Sequence, residues 1–253
     1  MAQLDVKNLS ISFEGLTAVN NLTFSVEPES IIGLIGPNGA GKTTVLNCIT
    51  RFYEPDQGEI EFANVNVLAL RTNQIIGLGI ARTFQNMELF SGLNAIDNIL
   101  VGKHMFLKAG FFGSALKFSG ASKAEEESKK EAYEMMAFLG IAQWAHHNVG
   151  DLPFGIRKMI EIARALISKP KLLLLDEPTA GMMPHEKAVL HEQIKRLRGE
   201  MGFSILLIEH DISFVTKMCQ QVLVMNFGEE IALGPPHEIV NHPEVISAYI
   251  GEE

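Results

Sequence analysis

Two kinds of hydrophobic spacing divide this chain. Leu4 to Phe13 (LDVKNLSISF) and Leu22 to Val26 (LTFSV) alternate apolar with polar positions, the pattern of half-buried antiparallel strands. Ser30 to Ile35 (SIIGLI), Lys171 to Leu175 (KLLLL) and Phe203 to Ile208 (FSILLI) are apolar at almost every position and predict buried strands. The leucine run needs cover on both faces, which places it centrally in a parallel sheet. Gly58 to Val67 (GEIEFANVNV) reads as one strand after a Pro55-Asp56-Gln57-Gly58 turn, and Gln221 to Phe227 with Ile231 to Gly234 as a last hairpin. Helical spacing begins at Thr44, runs from about Ile156 to Ser168 with Met159, Ile160, Ala163, Leu166 and Ile167 on one face, and returns from about Pro184 to Glu200. Ala124 to Lys130 opens a charged helix whose apolar side carries Tyr133, Met136, Ala137 and Leu139. A short helix is expected after Pro235. These elements together predict an α/β chain.

Composition adds limits. A length of 253 residues at 47% hydrophobic content allows one α/β domain or two small ones. The formal net charge of −9 argues against broad nucleic-acid binding. Cys48 and Cys219 have no framework spacing and read as reduced, buried residues of a cytosolic chain. Met1 to Asp5 lacks the basic region and following apolar region expected of an export signal, and no run nears the roughly 20 apolar residues of a membrane span. Phe106 to Phe118 concentrates phenylalanines and glycines, and reads equally as a satellite core or as a docking surface.

The chemistry sits at the ends of the buried strands. Gly36-Pro37-Asn38-Gly39-Ala40-Gly41-Lys42-Thr43-Thr44 fits the phosphate-binding loop pattern and lies between a strand and a helix, as that loop requires. Its glycines turn backbone N–H groups toward a polyphosphate, beside the positive end of the helix dipole. Lys42 would reach the β- and γ-phosphates of ATP, and the Thr43 hydroxyl would ligate Mg²⁺. Asp176 and Glu177 close the leucine strand, where ligands of parallel sheets gather. Asp176 suits the acid that holds Mg²⁺, and Glu177 the base or water-orienting group for attack on the γ-phosphate. His210 ends another buried strand in the same layer, within reach of a γ-phosphate. Phe13 at a strand end fits a core or a purine, and Gln85, at the end of Gly79 to Gln85 and just past an apolar strand, fits a solvated terminus or a group that reaches Mg²⁺ or a water. The helix after Leu152-Pro153-Phe154-Gly155 offers an anion site at its N-terminus.

Taken in order, the phosphate loop, Gln85, the Leu152 segment, Asp176-Glu177 and His210 resemble the ATP-binding cassette of ABC transporters over nearly the whole chain. The resemblance is greatest to the G-type ATPase subunits of branched-chain amino-acid importers, through Arg82-Thr83-Phe84-Gln85, Glu161 to Ala165, Ile208-Glu209-His210-Asp211 and the ending Ala248 to Glu252. It implies a P-loop NTPase fold with a mixed RecA-like core sheet, an N-terminal antiparallel β-subdomain and a helical signature subdomain. The implied boundaries are 1–85 and 151–234 for the nucleotide-binding core, 86–168 for the helical part with an insertion at about 103–123, and 235–253 for a tail. By the same resemblance Phe13 stacks on adenine, Gln85 joins Mg²⁺ and the attacking water to the permease interface, and His210 is the switch histidine. Pro153, Phe154 and Gly155 would cover the ATP of a second cassette in trans. The implied partners are that second cassette, identical or different, two integral-membrane permease subunits and, indirectly, an extracytoplasmic substrate-binding protein. The chain would then lie on the cytoplasmic face of the membrane. Urea, other amides and lipid-linked molecules are the alternative cargoes of related cassettes, and a nucleotide-sensing partner of weak hydrolytic power is the alternative role.

Two departures bear on that expectation. The family signature Leu-Ser-Gly-Gly-Gln is replaced by Leu152-Pro153-Phe154-Gly155-Ile156, and Pro153 has neither a hydroxyl nor an N–H to donate. In Ala180-Gly181-Met182-Met183, the following D-loop, methionine stands where the family has a polar residue.

Overall fold

A computed structural model describes residues 2–83, 89–109 and 121–250. The N-terminal alternation folds as expected. Strands β1 (Leu4–Phe13) and β2 (Leu16–Val26) pair antiparallel across a tight turn at Glu14 and Gly15, so β2 starts well before the Leu22 expected from spacing. Strand β3 (Ile31–Ile35) leads through the phosphate loop into helix α1 (Lys42–Ile49), which begins before Thr44.

The stretch read as one strand from Gly58 to Val67 is two: β4 (Gln57–Phe62) and β5 (Val65–Asn66). Ala63 and Asn64 between them hold φ of 49° and 64°. Two successive left-handed residues make the tight primed turn that alternation alone does not signal. Helix α2 (Thr72–Leu78), strand β6 (Ile80–Arg82) and helix α3 (Ala95–Ala109) follow; spacing predicted neither helix. Helix α4 (Ala121–Phe138) starts earlier than Ala124, and Phe111, Phe112 and Phe118 lie outside the described residues. Helix α5 (Phe154–Leu166), strand β7 (Leu172–Asp176), helix α6 (Pro184–Met201), strand β8 (Ser204–Ile208), helix α7 (Ile212–Met218) and the hairpin β9 (Gln221–Asn226) and β10 (Glu229–Gly234) complete the core. The tail forms two short helices, α8 (Pro236–Ile239) and α9 (Pro243–Ile250), rather than one.

Two sheets result. One is antiparallel, in the order β2-β1-β4-β5; the other runs β10-β9-β3-β8-β7-β6 and is parallel from β9 to β6, with β10 antiparallel at its edge. Strands β3, β7 and β8 are buried at every residue, as their unbroken apolar text requires. Alternate residues of each serve different cores. Ile32, Leu34, Leu172, Leu174, Leu206 and Ile208 face the antiparallel sheet and α1. Ile31, Ile35, Leu173, Leu175, Ile205 and Leu207 face the helical layer that includes α3, α4 and α5. The sheet is thus fixed from both sides, and its carboxyl edge, between the two layers, is held rigidly in register.

Candidate active site at the carboxyl ends of the strands

Four adjacent parallel strands end together. Strand β3 gives way to the phosphate loop, β8 to Glu209 and His210, β7 to Glu177, and β6 carries Arg82. The loop conformation needs its glycines. Gly36 has φ of 148°, and a Cβ there would lie 2.0 Å from the carbonyl oxygen of Met225. Gly41 has φ of 100°, and a Cβ there would lie 2.3 Å from the carbonyl oxygen of Ala18. Any side chain at either position would push the loop off β9 or β2.

A cavity of about 290 Å³ is lined by Ala18, Asn38, Gly39, Ala40, Gly41, Lys42, Thr43, Thr44, Glu177 and His210. The structure therefore brings the loop together with two residues from the other end of the sequence. Lys42 is buried, and its ammonium donates to the carbonyls of Gly36 and Pro37, both at 2.7 Å. Those neutral acceptors hold the Lys42 head inside the loop, where a phosphate oxygen would be a stronger partner. Gly36 and Pro37 shape the loop from behind without joining the cavity lining.

Glu177 sits at φ 47°, with its backbone N–H bonded to the Ile208 carbonyl at 2.9 Å. Its Oε1 lies 2.8 Å from His210 Nε2. The expected shared layer is thus a direct contact between the two side chains. Asp176 is buried behind them, and its Oδ2 accepts from Arg82 at 2.8 Å while Arg82 also donates to Asn47 Oδ1 at 2.7 Å. Arg82 thereby ties β6, α1 and β7 into one unit. Spacing did not single it out, although a lone cation at the end of a short apolar strand was a readable signal.

Asp176 Oδ1 is buried with no hydrogen-bond partner among the described residues. A carboxylate oxygen so placed fits the water shell of a cation, and Thr43 lines the neighbouring cavity. Among the described residues no group of three or more His, Cys, Asp or Glu side chains could hold a metal. One carboxylate with one hydroxyl is the sparse set that suits Mg²⁺ shared with substrate phosphates.

The other expected residues stand apart from this cavity. Phe13 is not core: it is 40% exposed at the end of β1, with its ring edge-on to Tyr53 at 5.0 Å. Gln85 lies outside the described residues. Pro153 precedes α5 and supplies no side-chain cap, and Phe154 is the first residue of that helix. The Phe154 ring covers Gly181 of the D-loop in the same chain, where a Cβ would come within 3.2 Å of it. Gly155 packs more closely still on Glu186, whose Oε1 would lie 2.5 Å from a Cβ there and whose carboxylate accepts from the Met183 N–H at 2.8 Å. Met182 is buried and Met183 is 60% exposed.

The ABC transporter family matches residues 19–180, from the first part of β2 to the D-loop. This chain belongs to the ABC transporter ATP-binding cassettes. The cassette also matches, over residues 229–253, the family of branched-chain amino acid ATP-binding cassette transporters. It is 41% identical over 249 residues to the high-affinity branched-chain amino acid transport ATP-binding protein LivG of Escherichia coli, covering 98% of both chains. To BraF of Pseudomonas aeruginosa, which carries the same description, it is 38% identical over 98% of both. Among solved structures it is similar to an ABC-transporter cassette in its ADP conformation, with a TM-score of 0.85 at 29% identity over 100% of both chains. It is equally similar to a nucleotide-free cassette, with a TM-score of 0.86 at 27% identity. Among the described residues of this cassette, no helix is long and apolar enough to cross a membrane.

Proposed function

We propose that this cassette hydrolyses ATP to drive an importer of branched-chain amino acids. The observation that carries hydrolysis is the Glu177–His210 contact beside the phosphate loop. The cargo rests on the likeness to LivG and BraF along the whole chain. The backbone amides of Gly39 to Thr44 and the Lys42 ammonium hold the β- and γ-phosphates, and Phe13 stacks on the adenine. Asp176 and Thr43 would hold Mg²⁺, with Gln85 as a further ligand. Bound there, Mg²⁺ would neutralise charge that develops on the phosphate oxygens. Glu177 orients the attacking water and takes its proton, while His210 steadies the γ-phosphate and the Glu177 carboxylate together. Water adds to phosphorus as the bond to the ADP oxygen breaks, leaving ADP and phosphate.

A second cassette, identical or different, closes over the ATP, and Pro153, Phe154 and Gly155 of this chain face the partner's nucleotide. Two permease subunits would hold the pair at the cytoplasmic face, with a substrate-binding protein on the far side. ATP binding favours the closed pair, and hydrolysis through Glu177 allows it to reopen. The Pro153 and Met183 departures favour a second reading, a nucleotide-sensing partner of weak hydrolytic power. The test is Mg²⁺-dependent hydrolysis and labelled-leucine uptake by the assembly with its co-expressed neighbours. Glu177→Gln should abolish turnover while leaving ATP binding intact. A wild-type assembly that binds ATP and never turns it over would establish the second reading instead.

A further inference from the structure

Among the described residues, Glu209 is the buried acid of this region without an assigned task. It is 3% exposed, at the end of β8, and no cation pairs with it among the described residues. Its Oε1 accepts from the Thr179 N–H at 2.8 Å, and its Oε2 from the His210 N–H at 3.1 Å, with the Asp211 N–H further off at 3.5 Å. A desolvated carboxylate held only by backbone donors costs more to bury than an apolar residue of the same shape. What it gains is geometric. It joins the turn after Glu177 to the loop that carries His210, two segments 30 residues apart in sequence.

We propose that Glu209 is a positioning residue of the hydrolytic centre. Resting on the ATPase reading above, it acts through the backbone of His210 and Thr179 and touches neither substrate nor metal. The Thr179 turn continues into Gly181 under the Phe154 ring, and Met182 closes it with an N–H donated to the Thr179 carbonyl at 3.1 Å. The signature segment and the His210 loop therefore bear on one short turn, and Glu209 fixes the distance between them. A shift of the segment that faces the partner's ATP would reach this chain's own Glu177–His210 pair through that carboxylate.

Glu209→Gln tests it, because the amide keeps the size and one acceptor but turns N–H groups toward backbone N–H groups. In the transporter assembled with its permease, kcat should fall about 10-fold while KM for ATP stays within about twofold, the split expected when alignment and not binding is lost. Hydrogen exchange on the full chain gives a reading that needs no hydrolysis: the Thr179 and His210 amides should exchange faster in the variant, with the amides of β3 unchanged. Faster exchange in a chain whose wild type hydrolyses nothing would leave the clamp standing and remove the ATPase reading. Wild-type exchange at both amides, an unchanged kcat, or a kcat loss matched by a rise in KM and a fall in Tm would overturn the proposal.

Discussion

Glu177 pays for its position in backbone strain. A φ of 47° is left-handed, which costs a residue with a Cβ about 1–2 kcal/mol. The bond from its N–H to Ile208 and the contact with His210 hold it there. Two variants separate strain from chemistry, since Glu177→Ala and Glu177→Gly both remove the carboxylate and differ in tolerance of that φ. Against the greater chain entropy of glycine, the glycine variant should still be the more stable by about 0.5–1 kcal/mol in urea denaturation. Equal stability would mean that the backbone relaxes once the carboxylate is gone. At this scale the sequence was highly legible where a residue type answers a local rule. Gly36, Gly41, Lys42, Asp176, Glu177 and His210 all declared themselves by position beside buried strands. Glu209 did not, because its partners are amides, which every residue carries, brought near only by the neighbouring places of β7 and β8 in the sheet.

At the scale of elements, the His210 loop is anchored on its other side by Asp211. That residue caps α7 through the Phe214 N–H at 3.1 Å and meets Lys187 of α6 at 2.7 Å. The hydrogen bond from Lys187, helped by the cap, holds the Asp211 carboxyl below its ordinary range. A lowered folded value means that the pair stabilises the fold above the unfolded aspartate pKa of about 3.9, and that this is lost as pH falls through the folded value. Lys187→Met should therefore be less stable than wild type at pH 7, with the gap narrowing as the pH is lowered from about 4. Urea midpoints across that range check it, and a gap independent of pH would place the effect in packing instead. Elements with an unbroken apolar run or a single helical period were readable, as β3, β7, β8 and α5 attest. Helices α2 and α3 were not, and the β4–β5 turn was hidden because Ala63 is an unusual residue for a left-handed turn.

For the whole molecule, the telling feature is that each cassette would carry half of two different sites. In the proposed assembly the phosphate loop, Glu177 and His210 would serve the ATP bound to this chain, whereas Pro153 to Gly155 would serve the partner's. That second half would be the poorer donor. Pro153 offers no N–H, its side chain caps nothing, and the Phe154 ring is engaged on Gly181. The Gly155 amide and the dipole of α5 remain to face a phosphate. The absence of one charge-assisted hydrogen bond should slow the site completed by this chain by on the order of 10-fold relative to the site that uses this chain's Glu177. In a heterodimer, replacing the catalytic glutamate of one cassette at a time isolates each site. The slower turnover should belong to the site covered by Pro153, and Pro153→Ser should narrow the difference by restoring both a hydroxyl and an N–H. Equal rates at the two sites would mean that the Gly155 amide and the helix dipole carry the trans contact unaided.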